Sequence, residues 1–190
     1  MLPSMAPSRS PGRPLSADDW IQTGFALLTS GGPDALRIGR LCERLDVTKG
    51  SFYWHFSDIQ TYRAALVDAW GDLRDRDRRR LVDVHIPDPR ERLAAILGAV
   101  AAPEHVALER VMRTWAMTDD HVASNVRQSD ERLLSAIREA ISEFGFDTEQ
   151  TRLRATVTMA SGIGLLYMVG AALNVPPELL DRFLDFVLRP

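Results

Sequence analysis

Apolar residues recur along most of this chain at intervals of three and four, the period of a helix with one buried face. Trp20, Ile21, Gly24, Phe25 and Leu28 make the first such stripe. It predicts a helix over Ser16–Ser30, opened by a cap-like serine and by Asp18 and Asp19, which the helix dipole favours there. Gly31, Gly32 and Pro33 stop it. A second stripe, Ile38, Leu41, Cys42 and Leu45, predicts a short helix that Asp46 and Val47 break. Thr48 is a good N-cap for the next helix, and Phe52 and Phe56, four residues apart, would seat that helix on its predecessor. Two short helices with a tight turn and a shared apolar wedge make a helix-turn-helix.

The pattern continues to the C-terminus. Tyr62, Ala65, Leu66, Ala69, Trp70 and Leu73 line a longer helix over Asp58–Leu81, after which His85–Pro89 reads as a linker. Five more helices are expected, over Arg90–Ala101, Glu104–Met117, Asp119–Phe144, Asp147–Gly170 and Pro177–Leu188. No stretch alternates with a period of two, so the fold class is all-α. Met1–Pro14 holds four prolines, three serines and a glycine and reads as a disordered arm, with Arg9 and Arg13 as its cations.

The polar face of the second short helix gathers unusual chemistry. It presents Lys49, the only lysine in the chain, with Gly50, Ser51, Tyr53, Trp54 and His55. Hydrogen-bond donors and flat rings on a rod of that width suit the major groove of B-DNA. The competing reading is an amphipathic helix pair whose polar face meets only water. Gly50 is a poor helix former, by roughly 1 kcal/mol relative to alanine, and leaves the contact face uncluttered.

Charge sharpens this picture a little. Residues 1–80 hold 12 Lys and Arg against 10 Asp and Glu, net +2, and residues 81–190 hold 11 against 16, net −5. A more basic front and an acidic rear agree with a nucleic-acid-facing N-terminal part. The run Arg74–Arg80, alternating in sign, reads as a solvated and internally paired helix surface. One cysteine, Cys42, excludes an internal disulfide and reads as a small buried hydrophobe. No secretory signal is evident, so a cytoplasmic address is expected.

Catalytic and metal-binding patterns are missing. His55, His85, His105 and His121 show no zinc-ligand spacing, and no cofactor is expected. Gly162-Ile163-Gly164 meets Tyr167 where a dinucleotide loop needs its third glycine, and Ser161 lacks the glycine of a nucleophile elbow. The chain reads as a binding protein rather than an enzyme.

The string Val47-Thr48-Lys49-Gly50-Ser51-Phe52-Tyr53-Trp54-His55-Phe56 resembles the recognition-helix signature of the TetR family of transcriptional regulators. The likeness reaches back through Leu36–Leu45 to Ser16–Ser30. It departs at Ile59, where many members carry a lysine that meets a phosphate; Ser57, Asp58 backbone amides or Gln60 are the substitutes at hand. The resemblance implies a disordered arm over 1–14, a three-helix helix-turn-helix DNA-binding domain over 15–57, and a helical ligand-binding and dimerisation domain over 58–190. It implies a dimeric, ligand-responsive regulator, expected to be a repressor, that reads a palindromic double-stranded DNA operator. The alternative is an all-α small-molecule carrier or interaction adaptor without DNA binding. Site residues follow. Tyr53, His55 and the amides around Thr48 and Gly50 would hold phosphates, while Lys49, with Ser51, Trp54 or Arg40, would read bases.

For the rear domain the resemblance implies a small effector, expected to be apolar, and a homodimer through 147–170 and 177–188. Met112, Trp115, Phe144, Met159 and Tyr167, with Met117 and Met168, are the candidate wall. Trp115 and Tyr167 add polar handles. The uncharged stretch Ala155–Pro177 is long enough to cross a membrane, yet its small residues Ala160, Gly162, Gly164 and Gly170 fit a helix in the middle of an oligomer interface better.

Overall fold

The computed structural model describes residues 15–83, 86–100, 103–168 and 176–189. Those residues form nine α-helices and one short 3₁₀ turn, and no strand occurs among them. The arm with Arg9 and Arg13, His85 of the expected linker, and Gly170 lie outside the described residues.

Helix α1, Ala17–Gly31, begins with a reciprocal cap: the Ser16 side chain accepts from the Asp19 amide, and the Ser16 amide and hydroxyl donate to the Asp19 carboxylate. Gly32 follows at φ 67°, a conformation glycine reaches at no steric cost, and its amide closes on Leu28. The 3₁₀ turn Pro33–Ala35 leads to α2, Ile38–Leu45. Asp46 ends α2 in the left-handed region, φ 53°, a place where a short polar side chain is tolerated. The amide of Val47 then donates back to the Cys42 carbonyl, so the chain reverses within two residues. Helix α3, Lys49–His55, starts at once. Thr48 stands at its N-cap, but contrary to expectation its hydroxyl makes no cap hydrogen bond.

Helix α4, Ile59–Asp83, runs from this head into the rear. It is followed by α5, Pro89–Val100; α6, Pro103–Trp115; α7, Asp120–Ser142; α8, Thr148–Met168; and α9, Pro177–Leu188. Pro103 opens α6, one residue before the expected start, where a missing amide proton costs nothing. No helix among the described residues is long and apolar enough to cross a membrane.

Two main cores hold these helices. The front core joins Trp20, Phe25, Leu41, Phe52, Phe56, Tyr62 and Trp70, and it continues into Met112, Trp115, Val122 and Val126 of α6 and α7. The apolar packing around the helix-turn-helix therefore does not stop at residue 57. The rear core joins Leu93, Ile96, Ile137, Ile141, Ala155, Leu184 and Val187.

One contact fixes α4 against α1. The Tyr62 hydroxyl donates to the Trp20 carbonyl at 2.8 Å, in full burial. Burial also pushes the Tyr62 phenol far above its ordinary pKa, so it stays a donor. The approach needs Gly24, since a Cβ there would lie 2.0 Å from the Tyr62 oxygen.

Candidate nucleic-acid interface

Helix α3 is too short to hold itself in water and is shaped by what lies beneath it. Phe52 is fully buried, with its ring edge-on to Trp20 at 5.4 Å and tilted against Tyr62 at 5.7 Å. Phe56 closes the far end, 5.0 Å from the Tyr62 ring. Three helices thus grip one side of α3, which fixes the direction of the other.

That other side is open. Thr48, Lys49, Gly50, Tyr53 and Trp54 are exposed, and Trp54 keeps 83% of its surface in solvent. Ser51 and His55 are half-buried. The His55 ring sits 4.9 Å from Trp54 and 6.2 Å from Trp20, between the outer face and the core. A Cβ on Gly50 would meet only the Thr48 hydroxyl, at 3.6 Å, an ordinary contact. Nothing among the described residues therefore requires glycine at that position. Arg40 is exposed on α2, with its guanidinium directed toward the Gly31 end of α1, 4.0 Å from a Cβ built there. The structure thus gathers Thr48 to His55 on one short helix and sets Arg40 apart from them. Cys42 lies beneath, its thiol pushed up by burial and drawn down somewhat by the Lys49 charge.

The start of α4 is occupied by the chain itself. Asp58 accepts from the Thr61 amide at 2.7 Å, and that bond holds its carboxyl below the usual value. Ser57 bonds Thr61 at 2.8 Å. A carboxylate already on these amides competes with a phosphate for them. Ile59 is half-buried against the front core.

The rear holds a cavity of about 50 Å³ between α4, α5, α6, α7 and α8. Of the expected wall residues only Met159 lines it. Met112 and Trp115 belong to the front core, Phe144 is half-buried, and Tyr167, Met117 and Met168 are exposed. The lining is also more polar than expected, with Arg74, Asp77, Glu109, Arg113, Asp130 and Thr158 facing Ile96, Leu133, Ile137 and Ile163. Arg113 donates to Glu109 at 2.8 Å and to both oxygens of Asp130 at 3.0 and 2.5 Å. Burial pulls its pKa down, but those carboxylates outweigh it and hold the guanidinium above its usual value.

The run Arg74–Arg80 is accordingly not simply a solvated surface. Arg74 is turned inward, 3.6 Å from Glu109 and 3.9 Å from Asp77, and Asp75 is paired with Arg132 of α7. Sequence reading missed this cluster. Its available signal was the Glu109–Arg113 pair, four residues apart on the same face of α6 as Val106. No group of side chains suited to a metal ion occurs among the described residues.

A short helix, locked by two phenylalanines and offering amides, an ammonium group and rings to solvent, defines an all-α protein with a reader-type helix-turn-helix. Residues 21–61 match the family described as bacterial regulatory proteins, tetR family. No curated protein sequence matches the chain. Among solved structures, a transcriptional regulator from Rhodococcus sp. Rha1 superposes with a TM-score of 0.72 at 21% identity, covering 92% of this chain and 94% of that one. A regulator from Saccharomonospora viridis, solved with choline, gives 0.71 at 18%, covering 91% and 95%. FadR from Bacillus subtilis, solved with stearoyl-CoA, gives 0.68 at 12%, covering 92% and 98%. The chain thus carries a TetR-family helix-turn-helix and has, over its length, the fold of TetR-family transcriptional regulators.

Proposed function

We propose that this chain is a ligand-responsive transcriptional repressor that binds a palindromic operator as a homodimer and acts by binding rather than by catalysis. One observation carries the reading: α3 is clamped by Phe52 and Phe56 while Lys49, Gly50, Tyr53 and Trp54 remain exposed. Lys49, with Ser51 and Trp54, reads base edges. Tyr53, His55 and the amides at Thr48 and Gly50 hold phosphates. Gly50 lets the DNA backbone approach, which accounts for a residue that the fold itself does not need. Arg40 adds charge from the neighbouring helix.

Dimerisation is supported by an unpartnered apolar face. Leu153, Val157, Tyr167 and Met168 on α8, with Leu179 and Phe186 on α9, are exposed in the single chain. Exposed apolar rows on two helices suit burial against a second copy. Pairing through 147–170 and 177–188 would set two α3 helices on one side, and two half-sites one turn apart need roughly 34–36 Å between them. The cavity behind α4 is the effector site. Binding there shifts α4, which bears Arg74 and Asp77 at one end and is anchored to α1 by Tyr62 at the other. Coupling of about 1–3 kcal/mol gives useful derepression. The division at 15–57 and 58–190 is one of task, DNA reading in front and sensing behind, and the site of action is the cytoplasm.

A gel-shift salt titration on the DNA upstream of the chain's own gene tests the proposal. The affinity should fall steeply with salt, with a log–log slope near −0.9 per phosphate neutralised. Binding that ignores salt, or no binding at all, removes the regulator reading and leaves a ligand carrier.

A further inference from the structure

We propose that the rear cavity binds a small primary ammonium ion on a short apolar stem. This rests on the ligand-responsive reading above and names the chemistry of its ligand. Among the lining side chains three are carboxylates, Asp77, Glu109 and Asp130, against two guanidiniums, Arg74 and Arg113. Arg113 is already spent on Glu109 and Asp130. Arg74 stops 3.6 Å short of Glu109 Oε2 and 3.9 Å short of Asp77 Oδ2, distances too long for hydrogen bonds.

Three lining atoms are therefore left over. Asp77 Oδ2, Glu109 Oε2 and the Thr158 hydroxyl are buried and have no hydrogen-bond partner. Glu109 is 5% exposed and Thr158 only 1%. Buried polar atoms of this kind are normally satisfied, and these can all accept. An ammonium group brings three donors and a positive charge to a lining with one more carboxylate than guanidinium, where the other neighbour of Asp77 Oδ2 is the His105 imidazole, 3.8 Å away and also too far for a hydrogen bond. A carboxylate brings neither, and a quaternary ammonium brings charge without a donor. The rest of the lining, with Ile137, Met159 and Ile163, is apolar. The cavity's size of about 50 Å³ admits roughly four water-sized units at about 10–15 Å³ each. A head group and a stem of three or four carbons fill that space.

The test uses the full chain without DNA, at pH 8, by calorimetric titration with n-butylammonium, butyrate and tetramethylammonium. Butylammonium should saturate one site per chain, with the other two at least tenfold weaker. Thr158→Val keeps every charge and nearly the same shape. It should weaken butylammonium at least fivefold while raising the melting temperature of the free protein, because an orphaned hydroxyl is gone. Glu109→Gln should also weaken binding. Equal or tighter binding of butyrate or tetramethylammonium, no saturable site, or unchanged affinity in the Thr158→Val protein overturns the proposal. Loss of operator binding alone would sink the regulator reading and leave the amine site standing; loss of amine binding alone would do the reverse.

Discussion

The front and rear cores solve burial differently. Around α3 the buried rings are set edge-on or tilted against one another, and a fully buried long-range polar contact there is a closed one, Tyr62 to the Trp20 carbonyl. Around the cavity five charged side chains meet, and buried oxygens on Asp77, Glu109 and Thr158 are left without hydrogen-bond partners. Trp20 Nε1 is the front core's own exception, beside Arg63 Nε. A well-filled apolar frame fixes one geometry, which suits a reading head. Incomplete polar pairing leaves an environment that a ligand can alter, which suits a sensor.

The contrast can be broken first at its tightest point. Phe52→Ala should cost about 3–5 kcal/mol, read as a large drop in denaturation midpoint, because a fully buried ring leaves a cavity that three helices cannot close. Gly24→Ala should cost about 2–4 kcal/mol, since the new methyl displaces the Tyr62 hydroxyl and breaks its bond to Trp20. An unchanged melting curve for Gly24→Ala would mean that α1 and α4 are not held as described.

On the open side of α3 the effects should fall on DNA and spare the fold. Lys49→Ala should lose about 1–3 kcal/mol of discrimination at one operator position if Lys49 reads a base. Its stability should stay within about 0.5 kcal/mol of the parent. Gly50→Ala sharpens the point. It should stabilise the free protein by up to about 1 kcal/mol and yet weaken operator binding, a pair of opposite signs that a purely structural glycine could not give.

The smallest effect is at Asp58. Its carboxyl is held below the usual value by the Thr61 amide, so its contribution is present above the unfolded carboxyl's pKa and lost as pH falls through the folded one. Asp58→Ala should melt slightly lower than the parent at pH 7, and the two curves should converge in strong acid. Curves that stay apart there would assign the loss to something other than the carboxylate.

The helices and the exposed face of α3 were legible because they depend on neighbours in sequence. Periodicity placed Trp20, Leu28, Leu41, Phe52 and Leu66 on buried faces, and all five are buried. The same local logic put Ser16 and Asp119 at helix starts, and both side chains accept amide hydrogen bonds there. Thr48 shows the limit, since a residue of the right type at the right place makes no cap bond.

The cavity was not legible. Met112, Trp115 and Tyr167 were of suitable types, yet two are packed into the front core and the third faces solvent. Arg74 looked like one charge among many in an alternating run, and it is turned toward Glu109, 35 positions further on. By itself the sequence determined an all-α chain with a clamped, outward-facing α3, because helical spacing decides which face of a helix is apolar. Only the tertiary structure decided which charged groups meet behind α4, because helices far apart in sequence bring them together and no local pattern records the partner.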